Sequence, residues 1–184
     1  MFWQKPRLKK FSRKDDLHSL SFQCSVKDIE IFFIDKSEEF IKKKYCQLYY
    51  IYDKKLSIVI GFFTLSMGSI KYEKDIALEK LTQNIPGVLI GQLGIHKSYE
   101  RVGWGSNLIR AIILIVQKLS ERIGCRILIV DANTTIQSLS FYKKRGFDFV
   151  DEILGNKILN KLWKREKPSY QTVKMYFDLK KIRR

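Results

Sequence analysis

Two stretches of this chain carry residue types at spacings that could do chemistry. The first reads Leu89-Ile90-Gly91-Gln92-Leu93-Gly94-Ile95-His96, then Tyr99-Glu100-Arg101-Val102-Gly103-Trp104-Gly105-Ser106 and an apolar segment. It predicts a buried strand, a tight turn on Gly103 and Gly105, and a helix opening onto that turn. Glycine has no Cβ to hold a ligand off the backbone. The first amides of a helix lack internal partners and carry the positive end of its dipole, so a phosphate is a natural guest. A P-loop would need a Lys-Ser or Lys-Thr pair after the glycines, and none follows. A dinucleotide-binding turn would need a third glycine where Leu108 stands. An ordinary structural turn remains the competing reading.

The second stretch begins with Arg126-Ile127-Leu128-Ile129-Val130-Asp131-Ala132, an apolar β-branched run expected of a strand covered on both faces. Asn133-Thr134-Thr135 offers helix N-cap chemistry. A helix through Ser138, Phe141 and Tyr142 then ends in Lys143-Lys144-Arg145, with Gly146 suited to the left-handed position beyond it.

Turn and helix together resemble the GNAT superfamily of N-acetyltransferases. Its motif Q/R-x-x-G-x-G/A aligns with Glu100, Arg101, Val102, Gly103, Trp104 and Gly105, and its N-x-x-[AS]-x-x-F-Y-x-x-x-G-F segment with Ser138, Phe141, Tyr142, Gly146 and Phe147. Two positions depart from the pattern. Glu100 replaces Gln or Arg, and Asn133 lies two residues early, with Thr135 at the family's Asn position. The resemblance implies an α/β, single-domain GNAT fold with a mixed central β-sheet flanked by helices. It implies acetyl-CoA as co-substrate and no metal. The amides of Val102, Gly103, Trp104, Gly105 and Ser106, with Arg101, would hold the pyrophosphate. Leu93, Gly94 and Ile95 would lie along the pantetheine arm and acetyl carbonyl, with Asn133, Ser138 and Phe141 as further cofactor contacts. Tyr142 would be the general acid; otherwise it is a core aromatic beside Phe141.

Acetyl transfer requires a neutral amine, a proton for the departing thiolate and donors for the developing oxyanion. No base is evident. Gln92 stands where some relatives place Glu, His96 reads as structural, and Asp131 reads as a strand-end cap. An α-amine, with a pKa near 8 against about 10.4 for lysine, needs the least help.

Composition fits a globular protein. The 184 residues are 45% hydrophobic and 29% charged, enough for one domain with a sizeable core. Cys24, Cys46 and Cys125 have neither metal nor disulfide-framework spacing, which points to a reducing compartment. Neither a signal peptide nor a membrane span is evident, so a cytoplasmic location is expected. The net charge of +16 sits at the ends. Residues 1–14 hold six basic and no acidic side chains, and residues 155–184 hold ten basic against two acidic. Trp3, Phe11, Trp163 and Tyr170 lie among these cations as candidate stacking faces. Solvated tails are the plainer explanation.

The expected organisation is a basic N-terminal arm at 1–20 and an acetyltransferase domain at 21–184 with a basic insertion at about 152–172. Ser25 would cap a helix bearing Ile29, Phe32 and Phe33, and a second helix would run from 37 to 44. Strands are expected at 47–52 and 57–65, a helix at 75–81 and a last strand at 173–179. The helix after the glycine turn would run to about Ile123, with Leu108, Ile112, Ile115, Leu119 and Ile123 as its buried stripe. Gly124 would end it.

Phe22, Cys24, Ile29 and Phe32-Phe33 are similar to the opening of GNAT toxins from bacterial toxin–antitoxin pairs. The Tyr49-Tyr50-Ile51-Tyr52 and Ile60-Gly61-Phe62-Phe63-Thr64-Leu65-Ser66 strands are similar to theirs as well. That resemblance implies acetylation of the α-amine of aminoacyl-tRNA, tRNA bound through the basic ends, and a small DNA-binding antitoxin as partner. It leaves a homodimer open and implies no membrane partner. The alternatives are an N-acetyltransferase for a protein or small-molecule amine, and a catalytically inactive GNAT-fold protein that binds nucleic acid.

Overall fold

The structure is a computed structural model that describes residues 7–12, 15–17, 19–53, 56–71, 78 and 82–182. Its strands are β1 (Leu8–Lys10), β2 (Gln47–Asp53), β3 (Ile58–Lys71), β4 (Asn84–Ile95), β5 (Ile127–Asn133), β6 (Asp148–Phe149) and β7 (Thr172–Asp178). They form a seven-stranded sheet in the order β1-β2-β3-β4-β5-β7-β6. Helices α1 (Lys27–Ile31), α2 (Ser37–Lys42), α3 (Trp104–Ser120), α4 (Ile136–Lys143) and α5 (Glu152–Trp163) complete an α/β architecture, as expected. The chain divides into two compact units, Met1–Ser66 with Ile90–Ala111, and Met67–Leu89 with Ile112–Arg184.

In the first unit, β1 pairs antiparallel with β2, and β2 with β3. Residues 8–10 of the basic arm are therefore held in the sheet. Lys9 lies opposite Tyr50, and its ammonium bonds the Tyr50 hydroxyl at 3.2 Å and Asp15 at 3.1 Å. Phe11 and Leu17 are buried with Phe22, Phe33, Leu48 and Phe62, so Phe11 is a core residue and offers no stacking face. Trp3 lies outside the described residues. Phe22, Phe33 and Phe62 stand 4.7–5.1 Å apart, and burial of their ring area anchors this core. A Cβ on Gly94 would fall 2.7 Å from Ile29 and from Phe62, so this close approach of strand to helix requires glycine.

The two expected helices join through one π-helical segment, Phe32–Lys36. Its wider turn sends the Ser37 N–H to the Phe32 carbonyl, and the buried Ser37 hydroxyl donates to the Phe33 carbonyl at 2.7 Å. No helix-breaking residue separates the segments, which explains their continuity.

In the second unit, β5 pairs antiparallel with β7 from Ile127 opposite Asp178 to Asn133 opposite Thr172. Arg126 and Asp178 close one end with bonds of 2.8 and 3.0 Å. Burial alone would raise the Asp178 pKa, but the Arg126 hydrogen bond and the Lys180 amide outweigh it and hold it below the ordinary carboxylate value. Asp131 caps nothing. It lies in mid-strand opposite Lys174 and forms an ion pair with it at 2.7 Å. Residues 152–163 of the expected insertion form α5, with the Asp151 carboxylate accepting from the Leu154 amide at 2.8 Å.

Other boundaries also move. Helix α3 stops at Ser120, short of Ile123 and Gly124. Leu108, Ile109, Ile112 and Val116 are buried, whereas Ile123 is exposed and Ile115 and Leu119 are half-buried. Strand β3 continues to Lys71, beyond the expected 65. Of the helix expected at 75–81, residues 75–77 and 79–81 lie outside the described residues, as do Lys54 and Lys55 of the hairpin turn.

Candidate active site

The glycine turn lies in the first unit. Strand β4 ends at Ile95, a 3-10 turn covers Lys97–Tyr99, and Gly103 has φ +98, a backbone state that favours glycine. A Cβ built on Gly103 would meet nothing within 4 Å, so the turn is open. The Asn107 amide closes the first turn of α3 onto the Gly103 carbonyl at 3.2 Å. That first turn contains no acidic residue, and Arg101, Val102 and Gly103 before it are exposed. Trp104, Gly105 and Ser106 are half-buried. Seventeen residues of helix thus direct a positive dipole end to this open turn, and the exposed Arg101 lies three residues before the helix.

Glu100, the departure from the family pattern, has an occupant of its own. Its carboxylate accepts from the Ser25 hydroxyl at 2.9 Å and the Ser25 amide at 3.3 Å. Ser25 therefore does not cap α1, whose N-cap residue Val26 makes no side-chain cap bond. The Lys97 amide also donates to the Gln23 carbonyl at 2.8 Å, so residues 23–25 are tied to residues 97–100. Sequence reading missed this tie because its partners are 75 residues apart.

His96 is buried, and its Nδ1 accepts from the Ser98 amide at 3.2 Å. Burial, helped by Lys97, pushes its pKa down. It is a neutral capping group, as its structural reading expected. Burial pushes the Cys24 thiol up, while the Val26 and Ile95 amides pull the other way. Leu93 and Ile95 are half-buried and Gly94 is buried. The Gln92 amide bonds the Thr64 hydroxyl at 2.9 Å.

Asn133, Ser138, Phe141 and Tyr142 lie in the second unit. Asn133 is the exposed last residue of β5 and does not cap the helix. Thr135 does so, its hydroxyl accepting from the Ser138 amide at 3.1 Å. The cap thus falls where the family places Asn. Gly146 has φ +83 and donates its N–H to Lys143, while the Phe147 N–H returns to the Tyr142 carbonyl at 3.2 Å. This is a Schellman closure, and its acceptor is the carbonyl of the residue of interest. Arg145 spans Phe141, bonding its carbonyl at 2.6 Å with the guanidinium 3.7 Å from the ring centroid.

Tyr142 is 8% exposed and packs edge-on against Phe141 and Phe147 at 5.1 and 5.3 Å. Burial pushes its pKa up to about 12, against a smaller downward pull from Arg145. At neutral pH it is a proton donor and not a base. Among the described residues, no group of His, Cys, Asp and Glu side chains could hold a metal ion. No described helix is long and apolar enough to cross a membrane.

Similarity to known proteins follows both stretches. The probable toxin TacT of Sinorhizobium fredii (strain NBRC 101917 / NGR234) is 21% identical over 137 residues, covering 69% of this chain and 76% of that protein. AtaT complexed with acetyl-methionyl-tRNAfMet superposes with a TM-score of 0.74 at 20% identity, covering 96% of each chain. A tyrosine-to-phenylalanine mutant of AtaT bound to acetyl-CoA and the C-terminus of the antitoxin AtaR gives a TM-score of 0.71 at 20% identity, covering 96% of this chain and 94% of that one. These solved structures establish the likeness of fold. The acetyltransferase (GNAT) family profile matches residues 16–147, from before the first helix to the Gly146-Phe147 closure, and with most of its length inside that match the chain belongs to this family.

Proposed function

We propose that this protein is a translation-blocking toxin that transfers acetyl from acetyl-CoA to the α-amine of aminoacyl-tRNA. It acts in the cytoplasm and is held in check by a small DNA-binding antitoxin. The observation that carries the reading is Tyr142, a phenol buried in the matched segment, pushed by that burial to a pKa of about 12 and bonded through its own carbonyl into the Gly146 closure.

The residues present fit the donor. An open, acid-free helix start with Arg101 beside it suits a diphosphate, and the Ser25 bonds occupy the Glu100 carboxylate. The amides of residues 102–106 and Arg101 would hold the diphosphate and Leu93, Gly94 and Ile95 would lie along the pantetheine arm, with Asn133, Ser138 and Phe141 as further contacts that the family resemblance implies. Acetyl-CoA supplies an acetyl group activated as a thioester. The amine attacks as the neutral base, forming the N–C bond as the C–S bond breaks. Its extra proton leaves to water, the Tyr142 O–H donates to the departing thiolate, and the phenolate regains a proton from water. His96 is already engaged, and Gln92 cannot act as a base. An ester-activated α-amine fits this site better than lysine does.

The supporting relatives are the AtaT complexes with acetyl-methionyl-tRNAfMet and with acetyl-CoA and AtaR. The test offers labelled acetyl-CoA with aminoacyl-tRNA, deacylated tRNA, a peptide and a polyamine. Label should enter only the aminoacyl-tRNA. Tyr142→Phe should slow transfer about 10²–10³-fold while leaving acetyl-CoA affinity intact. Label entering only the peptide or polyamine would overturn the acceptor, and absence of acetyl-CoA binding would overturn the enzyme.

A further inference from the structure

The end of α5 and the segment leading from it to β7 carry two large exposed aromatics among cations. Trp163 is 68% exposed and Tyr170 54% exposed, with Lys164, Arg165 and Lys167 between them, all exposed. The Tyr170 backbone is fixed: the buried Thr134, just after β5, donates its hydroxyl to the Tyr170 carbonyl at 2.5 Å, and its amide donates to the Gln171 carbonyl at 2.9 Å. Thr134 immediately precedes Thr135, the cap of the helix that carries Tyr142.

The helix ends with a non-glycine residue at its left-handed position. The Arg165 N–H returns to the Leu162 carbonyl at 3.0 Å and the Glu166 N–H to the Lys161 carbonyl at 2.9 Å, a Schellman closure whose left-handed position is Arg165 at φ +60. Glycine is the usual occupant of that position, and an L side chain there is strained. The closure places an exposed Arg165 directly after the exposed Trp163 and Lys164.

We infer that Trp163, Lys164, Arg165, Lys167 and Tyr170 form the surface that receives a single-stranded RNA end, the rings stacking on bases and the cations contacting phosphates. Charge selects this site over its nearest rival. Helix α2 also ends in cations and an exposed aromatic, Tyr45, but residues 27–44 hold five acidic and five basic side chains. The Tyr45 ring already stands edge-on to Phe40 at 5.8 Å. Residues 157–174 hold six basic side chains against Glu166 alone. A polyanion with flat bases matches that combination, whereas an acidic peptide would use only the cations. The inference rests on the aminoacyl-tRNA reading for the identity of the natural RNA.

The test measures anisotropy of a labelled single-stranded RNA of about eight nucleotides, with duplex RNA and a polyglutamate peptide as competitors, across a salt series. Trp163→Ala and Tyr170→Ala should each weaken binding about tenfold, and Trp163→Phe should retain most of it. Arg165→Gly should raise Tm, yet weaken RNA binding and lower the salt slope by about one. Unchanged binding and slope in Arg165→Gly and the two alanine variants would overturn the inference, as would polyglutamate competing as well as RNA. A wild-type protein that binds the oligonucleotide here but acetylates no aminoacyl-tRNA would end the acceptor reading and leave this surface standing. Acetylation with a KM for aminoacyl-tRNA that neither alanine variant moves would do the reverse.

Discussion

Helices α4 and α5 end in the same hydrogen-bond pattern and put different residues at its left-handed position. In α4 that residue is Gly146, and the returning amide of Phe147 bonds the carbonyl of Tyr142. In α5 it is Arg165, and the returning amide of Glu166 bonds the carbonyl of Lys161. The first closure is packed, with Tyr142 and Phe147 buried and Phe147 tilted against Phe177 at 5.5 Å. The second stands in solvent beside an exposed indole. One motif thus fixes a proton donor in a core, and the other presents charge at a surface. The packed end favours glycine, since a Cβ there would stand 3.2 Å from the Phe177 ring, while the exposed end carries a strained cation.

The largest effect should come from the residue that the α4 closure holds. Loss of the Tyr142 hydroxyl should remove about 3–4 kcal/mol of transition-state stabilisation, the equivalent of the expected fall in rate. The pH dependence gives a second check. A phenol raised to about 12 remains an acid across the working range, so kcat should rise as the acceptor amine deprotonates and hold level through pH 10. A phenol at its ordinary value near 10 would already have lost half its activity there. A falling limb centred at pH 10 would show that burial does not tune this group. The same shift has the opposite consequence for stability. The unfolded phenol ionises first, so its contribution is full below pH 10 and is lost as pH climbs towards 12.

Gly146→Ala should come next. It places an L side chain at φ +83 and a Cβ 3.2 Å from the Phe177 ring. Strain and contact together should cost about 2 kcal/mol in denaturant unfolding. Because the closure bonds Tyr142 directly, kcat should fall more than KM rises. An alanine variant with wild-type stability and kcat would remove the rigid half of the comparison.

How much of this was legible in the sequence follows the range of the interactions. Strands β4 and β5 could be read because each carries an apolar run, residues 88–90 and 127–130, and Gly146 because its position is local chemistry. The helix cap was located to within two residues: Asn133-Thr134-Thr135 offered three candidates, and only Thr135 reaches the Ser138 amide. The α3 stripe was misread because i+3 and i+4 steps are both allowed, and Val116 is buried rather than Ile115. β1 was hidden by its charge. An edge strand of three residues needs one buried neighbour, and Phe11 fills that role beside two lysines. The Ser25–Glu100 bond and the Asp131–Lys174 pair depend on chain segments that meet only after folding, so nothing near either residue signals them. Arg165 had no signal because the closure's usual marker, glycine, is missing.

The smallest effect tests whether a left-handed cation at a helix end is always functional. Helix α2 closes in the same way, with the Lys44 N–H on Ile41, the Tyr45 N–H on Phe40 and Lys44 at φ +61. Here a plainer cause suffices, since a cation near a helix C-terminus gains about 0.3–1 kcal/mol from the dipole and offsets much of its strain. Lys44→Gly should therefore change stability little, raising it by at most about 1 kcal/mol, and should leave RNA affinity unchanged at physiological salt. Arg165→Gly should match it in unfolding and depart from it in RNA binding. If the two variants lose RNA affinity equally, the effect is net charge alone and the end of α5 has no special place. If Lys44→Gly is silent while Arg165→Gly is not, the strained arginine is kept for the ligand, because the dipole acts equally on both ends.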